Sequence, residues 1–89
     1  MAWLTKHPEV VYTDLEDGAV LLHLETKFYY SLNEIGQAIW RMLDASQSLQ
    51  EIVQKLMAEY DVEEKKADES VSRFLGDLET EKLVVRPKE

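Results

Sequence analysis

The 89-residue chain has no cysteine, which removes disulfide staples and thiolate metal sites from consideration. It has no long hydrophobic run either. Val20 to Leu22 is typical, far short of a bilayer span or a secretory h-region, and a cytoplasmic protein is the default expectation. Positive charge is scarce: 10 Lys and Arg stand against 18 Asp and Glu, a formal net charge of −8. Such a surface repels the phosphate backbones that supply most of the affinity for nucleic acid, and it repels anionic membrane surfaces for the same reason. Repeats, linkers and low-complexity segments are absent. No nucleophile–base pair, glycine-rich phosphate loop or carboxylate dyad is spaced for catalysis. The two histidines, His7 and His23, are separated by a strand and a turn and lack the helical H-x-x-x-H spacing, which argues against a metal site. No catalytic residue, metal or cofactor is expected.

What is present suits one small domain. Hydrophobic residues make up 45% and aromatics 9%, enough for a packed core and too many for a disordered chain. At this length the stability should be about 4–13 kcal/mol. The organising stretch is Ala19 to Trp40, AVLLHLETKFYYSLNEIGQAIW. It reads as a strand, a tight turn, a second strand and the first turns of a helix. A three-residue turn at Glu25-Thr26-Lys27 would set Leu24 opposite Phe28, Leu22 opposite Tyr30 and Val20 opposite Leu32. Those six would line one face as a core wall. Leu21, Ser31, His23 and Tyr29 would line the other.

Before this hairpin, Val10 to Leu15 is β-branched and aromatic, and Asp17-Gly18 is a strong hairpin signal. Three strands joined by short turns make an antiparallel meander, so Lys27 to Leu32 is expected to be an edge strand. It is aromatic and proline-free, and such an edge invites another chain to pair with it.

Three helices should follow. Asn33 is a good N-cap for the first, with Ile35, Ala38, Ile39, Met42 and Leu43 on one stripe. Ser48 and Glu51 form a capping box for the second, whose apolar face runs from Leu49 through Leu56 to Tyr60. In the third, Ala67, Val71, Phe74 and Leu78 share a narrow arc with Leu75 at its edge. The folded unit is expected over residues 10–85, with tails at 1–9 and 86–89. Trp3 is either tail or folds over the sheet, and Trp40 is a packing residue. The fold class is α+β: a winged helix-turn-helix in which a three-stranded antiparallel meander precedes three helices.

A winged helix raises nucleic-acid binding as the first question. Over 61–81, the would-be recognition helix and its approach carry eight acidic and three basic residues, a local charge of −5. A helix entering a major groove needs the opposite sign.

The run from Asp17 to Val84 resembles the PqqD-like leader-peptide recognition domains, in particular the free-standing type encoded with lasso-peptide maturation enzymes. The likeness rests on DGAVLLHL at 17–24, FYYSLN at 28–33, IW at 39–40, EIVQKLMAEY at 51–60 and RFLGDLETEKLV at 73–84. Family members often place glycine where Lys27 stands. The member serving quinone-cofactor synthesis usually lacks the paired tyrosines Tyr29 and Tyr30. The resemblance implies non-catalytic binding of a precursor's leader segment. The leader would pair antiparallel with the third strand and lie between it and the third helix. A separate leader protease or modifying enzyme would act on the precursor so presented. The chemistry of an edge strand fits, since unpaired N–H and C=O groups bind main chain while neighbouring pockets select alternate side chains.

Candidate peptide-binding residues are therefore Lys27, Phe28, Tyr29, Tyr30, Ser31 and Leu32 on the strand, with Asp68, Val71, Leu75 and Leu78 on the third helix. Phe28, Tyr30 and Leu32 point to the core in the expected register and offer mainly their backbone. Val71 and Leu78 read as core by helical spacing. Leu75 is the better groove residue, with Asp68 placed to hold a cationic leader side chain. An acidic winged-helix scaffold for protein assembly is the alternative, and a nucleic-acid-binding regulator ranks third. The expected state is a monomer or a weak dimer through the edge strand.

Overall fold

The structure, a computed structural model, describes residues 4–45 and 48–85. Trp3 and the C-terminal tail at 86–89 lie outside the described residues. The elements in chain order are β1 (Thr5–Lys6), β2 (Val10–Leu15), β3 (Gly18–His23), β4 (Phe28–Leu32), α1 (Glu34–Met42) with a 3₁₀ extension (Leu43–Ala45), α2 (Leu49–Glu59), α3 (Glu64–Thr80) and β5 (Val84–Val85). β2, β3 and β4 form an antiparallel sheet in that spatial order. Of the three helices that follow, α1 packs on one face of the sheet, α3 meets β4 through Phe74 and Tyr30, and α2 packs against α1 and α3, giving the expected α+β winged helix-turn-helix.

Glu16-Asp17 forms the β2–β3 turn, and Leu15 pairs with Gly18. Gly18 has φ 147°, and a Cβ built there would lie 2.0 Å from the carbonyl oxygen of Leu32. Only glycine tolerates both the dihedral and the close approach of the end of β4.

The second turn departs from expectation. His23 pairs with Phe28 and Leu21 with Tyr30, so the turn holds four residues, Leu24 to Lys27, instead of three. One residue of slip exchanges the two faces of a strand. Ala19, Leu21 and His23 therefore share the helix-facing side with Phe28, Tyr30 and Leu32, whereas Val20, Leu22 and Leu24 turn outward with Tyr29 and Ser31. Ala19, Leu21 and His23 are buried, while Leu24 is exposed. The pattern could not choose, because Val20, Leu21 and Leu22 are apolar on both sides of the pleat. His23 is buried at little cost: its Nδ1 accepts the backbone N–H of Glu25 at 3.2 Å and of Thr26 at 3.4 Å.

Capping follows the sequence. Asn33 Oδ1 accepts the Gly36 N–H at 2.8 Å, and Ser48 Oγ accepts the Glu51 N–H at 3.2 Å. In α3 the buried row is Ala67, Val71, Leu75 and Leu78, positions i, i+4, i+8 and i+11 on one side of the helix. The helix ends in a Schellman motif: the Leu83 N–H donates to Leu78 O, the Lys82 N–H donates to Glu79 O, and Lys82 is left-handed at φ 61°.

The tail expected over 1–9 is folded from Leu4 onward. Leu4 is buried, and β1 pairs antiparallel with β5 in a separate two-stranded sheet. Lys6 then reaches Asp44 at 2.7 Å and sits 4.8 Å from the Trp40 ring centroid. Trp40 is buried in the core, as a packing residue should be. These two-residue strands are too short to show a period, so only the closure of the chain ends reveals them.

Candidate functional site

β4 borders β3 on one side only, and among the described residues no strand pairs with its outer edge. Alternate residues of such an edge direct their N–H and C=O groups away from the sheet. Phe28, Tyr29 and Ser31 are exposed, Tyr30 is half-buried and Leu32 is buried. Lys27 leads into the strand in the left-handed conformation, φ 64°, the conformation for which a glycine in this turn would be suited.

Beside this edge lies a cleft of about 320 Å³ between β4, the start of α1 and α3, walled by Tyr30, Leu32, Ile35, Ser70 and Phe74. Phe74 meets Tyr30 edge-on with ring centroids 6.2 Å apart, and Tyr30 in turn lies 6.3 Å from Phe28. Offset and edge-on contacts of this kind hold rings in place. The Tyr30 hydroxyl donates to Asp77 Oδ2 at 3.3 Å. Burial foremost, and then the nearby Asp77 carboxylate, push the Tyr30 phenol above its ordinary pKa.

The structure separates the sequence-predicted helix residues from the cleft. Val71, Leu75 and Leu78 are core, and Leu75 in particular is not a groove residue. Phe74, assigned to the core arc, takes the groove instead. The helix is rotated so that 67, 71, 75 and 78 face inward, and the row one residue earlier (Ser70, Phe74 and Asp77) faces β4. That i, i+4, i+7 row was readable as a flank of the core stripe, but the sequence does not say which flank meets the sheet. Asp68 is exposed and accepts a hydrogen bond from Ser72 Oγ at 3.3 Å. It borders a second open depression, of about 690 Å³, along α3 that shares Ser70 and Phe74 with the cleft.

The opposite edge is tied down differently. Asp14 on β2 accepts hydrogen bonds from Tyr12, Gln37 and Arg41, at 2.5, 2.7 and 3.2 Å. The Tyr12 hydroxyl is the largest influence holding the Asp14 carboxyl below its ordinary pKa. This network fastens β2 to α1 and leaves the open cleft beside β4.

The histidines are also not as expected. His7 and His23 lie in contact with ring centroids 4.4 Å apart and planes tilted by 49°, and with Glu25 they form a cluster whose candidate ligand atoms lie within 4.8 Å of one another. The donor set fits a metal poorly. His7 Nδ1 accepts the Glu9 N–H and His23 Nδ1 accepts those of Glu25 and Thr26. A ligating imidazole normally donates from its second nitrogen instead. The cluster pins the β3–β4 turn against the segment before β2.

A family model described as Coenzyme PQQ synthesis protein D (PqqD) matches residues 18–84. The chain belongs to the PqqD family. Both β4 and the cleft-facing row of α3 fall within the matched stretch. Two solved structures resemble this PqqD-family domain closely. One, "TbiB1 in Complex with the TbiA(beta) Leader Peptide", has a TM-score of 0.84 and 30% identity, covering 96% of this chain and 99% of that one. The other, "Lasso peptide synthetase B1 complexed with the leader peptide", has a TM-score of 0.82 and 27% identity, covering 94% and 99%. No curated protein matches. Among the described residues, no helix of this PqqD-family domain is long and apolar enough to cross a membrane.

Proposed function

We propose that this PqqD-family domain is a non-catalytic adaptor for a ribosomally made precursor peptide. It binds the leader segment as a fourth strand, antiparallel to β4, and presents the precursor to a separate leader protease or other maturation enzyme. The observation that carries this reading is the unpaired β4 edge running beside the Tyr30–Phe74 cleft. The two similar structures, each a complex with a leader peptide, support it.

In this arrangement the backbone from Lys27 to Leu32 supplies main-chain hydrogen bonds, and the cleft takes an apolar leader side chain against Phe74 and Tyr30. Exposed Tyr29 and Ser31 flank the incoming strand on the outer face. Asp68 is placed to meet a cationic residue at the margin. Val71, Leu75 and Leu78 act from the core, by fixing the helix that carries Phe74. The free protein is a monomer, or a weak dimer in which two β4 edges pair in place of the leader.

The test is titration of isotopically labelled protein with a synthetic peptide spanning the leader of its precursor. Amide shifts should move at Lys27 to Leu32 and at Ser70 and Phe74. Removing the Phe74 ring forfeits burial of about 1.5 kcal/mol, so Phe74→Ala should weaken binding about tenfold. Shifts confined to β2 or to the solvent face of α3, with Phe74→Ala binding normally, would overturn strand addition at β4.

A further inference from the structure

The register that buries Ala19, Leu21 and His23 has a consequence on the other side of the sheet. Val11 pairs with Leu22 and Leu22 with Tyr29, while Thr13 pairs with Val20 and Val20 with Ser31. These rows, with Leu15 and Leu24 at their ends, form an outer face that no described element covers. Tyr29 is 67% exposed, Leu15 54%, Val11 44% and Leu24 40%. Val11, Leu15, Val20, Leu22, Leu24 and Tyr29 thus gather six apolar side chains on one three-stranded face, and contiguous exposed apolar patches on monomers are often functional.

The occupant can be argued from area and charge. A stable interface buries about 800 Å² per partner and draws on about 20–30 residues a side, whereas this face offers its six apolar residues with Thr13 and Ser31, so a second copy would be held weakly. Two copies would also bring net charges of −8 together. The turns and the segment bounding the face carry Glu9, Glu16, Asp17 and Glu25 against Lys27 alone, 1 − 4 = −3. A strand added at β4 would enlarge the same face, because every second side chain of that strand points outward beside Tyr29 and Ser31.

We infer that the outer sheet face is the docking surface for the enzyme that processes the precursor. That enzyme would present an apolar patch bordered by Lys and Arg, and the face reaches full size only when the leader occupies β4. The inference rests on the adaptor reading. It makes the enzyme a reader of the loaded sheet: it engages the adaptor with its peptide more tightly than the empty adaptor. The unloaded adaptor then competes poorly for the enzyme.

The test uses Val11→Lys with Leu15→Lys, two residues of β2 remote from the β4 edge, in the full chain. The probes are a synthetic leader peptide and the purified enzyme that processes the same precursor. The double variant should bind the peptide within twofold of wild type and keep its melting temperature within a few degrees. Its stimulation of enzyme turnover on the precursor should fall at least tenfold. Wild-type adaptor should bind the enzyme at least tenfold more tightly with peptide than without. Full stimulation by the double variant would overturn the docking surface. So would sedimentation of wild type as a dimer that the double variant abolishes, since the face would then be a self-interface. If wild type binds no leader peptide, the adaptor reading itself fails, a distinct result.

Discussion

Two glycine-to-alanine substitutions make the same chemical change and should move stability in opposite directions. At Gly18 the backbone has φ 147°, and the new Cβ would stand 2.0 Å from Leu32 O, 3.1 Å from Leu32 C and 3.3 Å from the Asn33 Cα. A carbon and an oxygen in ordinary contact need more than about 3 Å, so the overlap is on the order of 1 Å. All three contacted atoms belong to backbone, and no rotamer can relieve the clash. The dihedral alone costs about 1–3 kcal/mol, and parting the β3–β4 pairing at its closing end adds to that. A loss of about 3–4 kcal/mol follows, at the upper end for single substitutions. At about 4–8 °C per kcal/mol for a domain of this size, the melting temperature should fall by more than about 12 °C. The strand displaced is the edge proposed to bind the leader, so on that proposal peptide affinity should fall with it. At Gly76, in α3, a Cβ meets nothing within 4 Å. Alanine there should stabilise by about 0.5–1 kcal/mol through helix propensity. Thermal melts followed by circular dichroism, with urea titrations as a second measure, decide the matter. A Gly18→Ala protein melting within about 2 °C of wild type would show that the β3–β4 approach is looser than described.

Two lysines occupy left-handed positions, Lys27 in the β3–β4 turn and Lys82 at the C-terminus of α3. Replacing either by glycine should stabilise by about 0.5–1 kcal/mol, the left-handed penalty less the added chain entropy, and the two should add; a lower midpoint in urea for both would contradict this. The Tyr30 phenol is raised above its ordinary value, so the fold retains that proton longer than the unfolded chain does. Its contribution is complete below the unfolded pKa near 10 and is lost as pH rises through the folded value. Urea unfolding from pH 8 to 11 should therefore show an alkaline loss that Tyr30→Phe reduces, and equal pH slopes for both proteins would refute the assignment.

The element order and the caps were legible because each rests on local chemistry. Asn33 and Ser48 cap helices wherever their side chains can reach a free N–H, and Asp17-Gly18 turns a chain whatever surrounds it. The edge character of β4 was legible too, since it follows from strand count and connection length. What failed depended on a choice between two nearly equal arrangements. Val20 to Leu22 is apolar on both faces, so the β3 register was decided by which face the helices cover. Leu75 and Phe74 are one residue apart on a helix whose rotation is set by the sheet. The pairing of β1 with β5 joins segments at opposite ends of the chain, beyond any local pattern.

The sequence by itself determined a cysteine-free, acidic α+β domain with a proline-free aromatic edge strand. Composition, turn chemistry and hydrophobic period act over a few residues and need no partner to be read. Only the tertiary structure decided which side of β3 is buried, that Phe74 and not Leu75 walls the cleft, and that His7 rests on His23. Each of those is a long-range packing choice, made where helices meet the sheet.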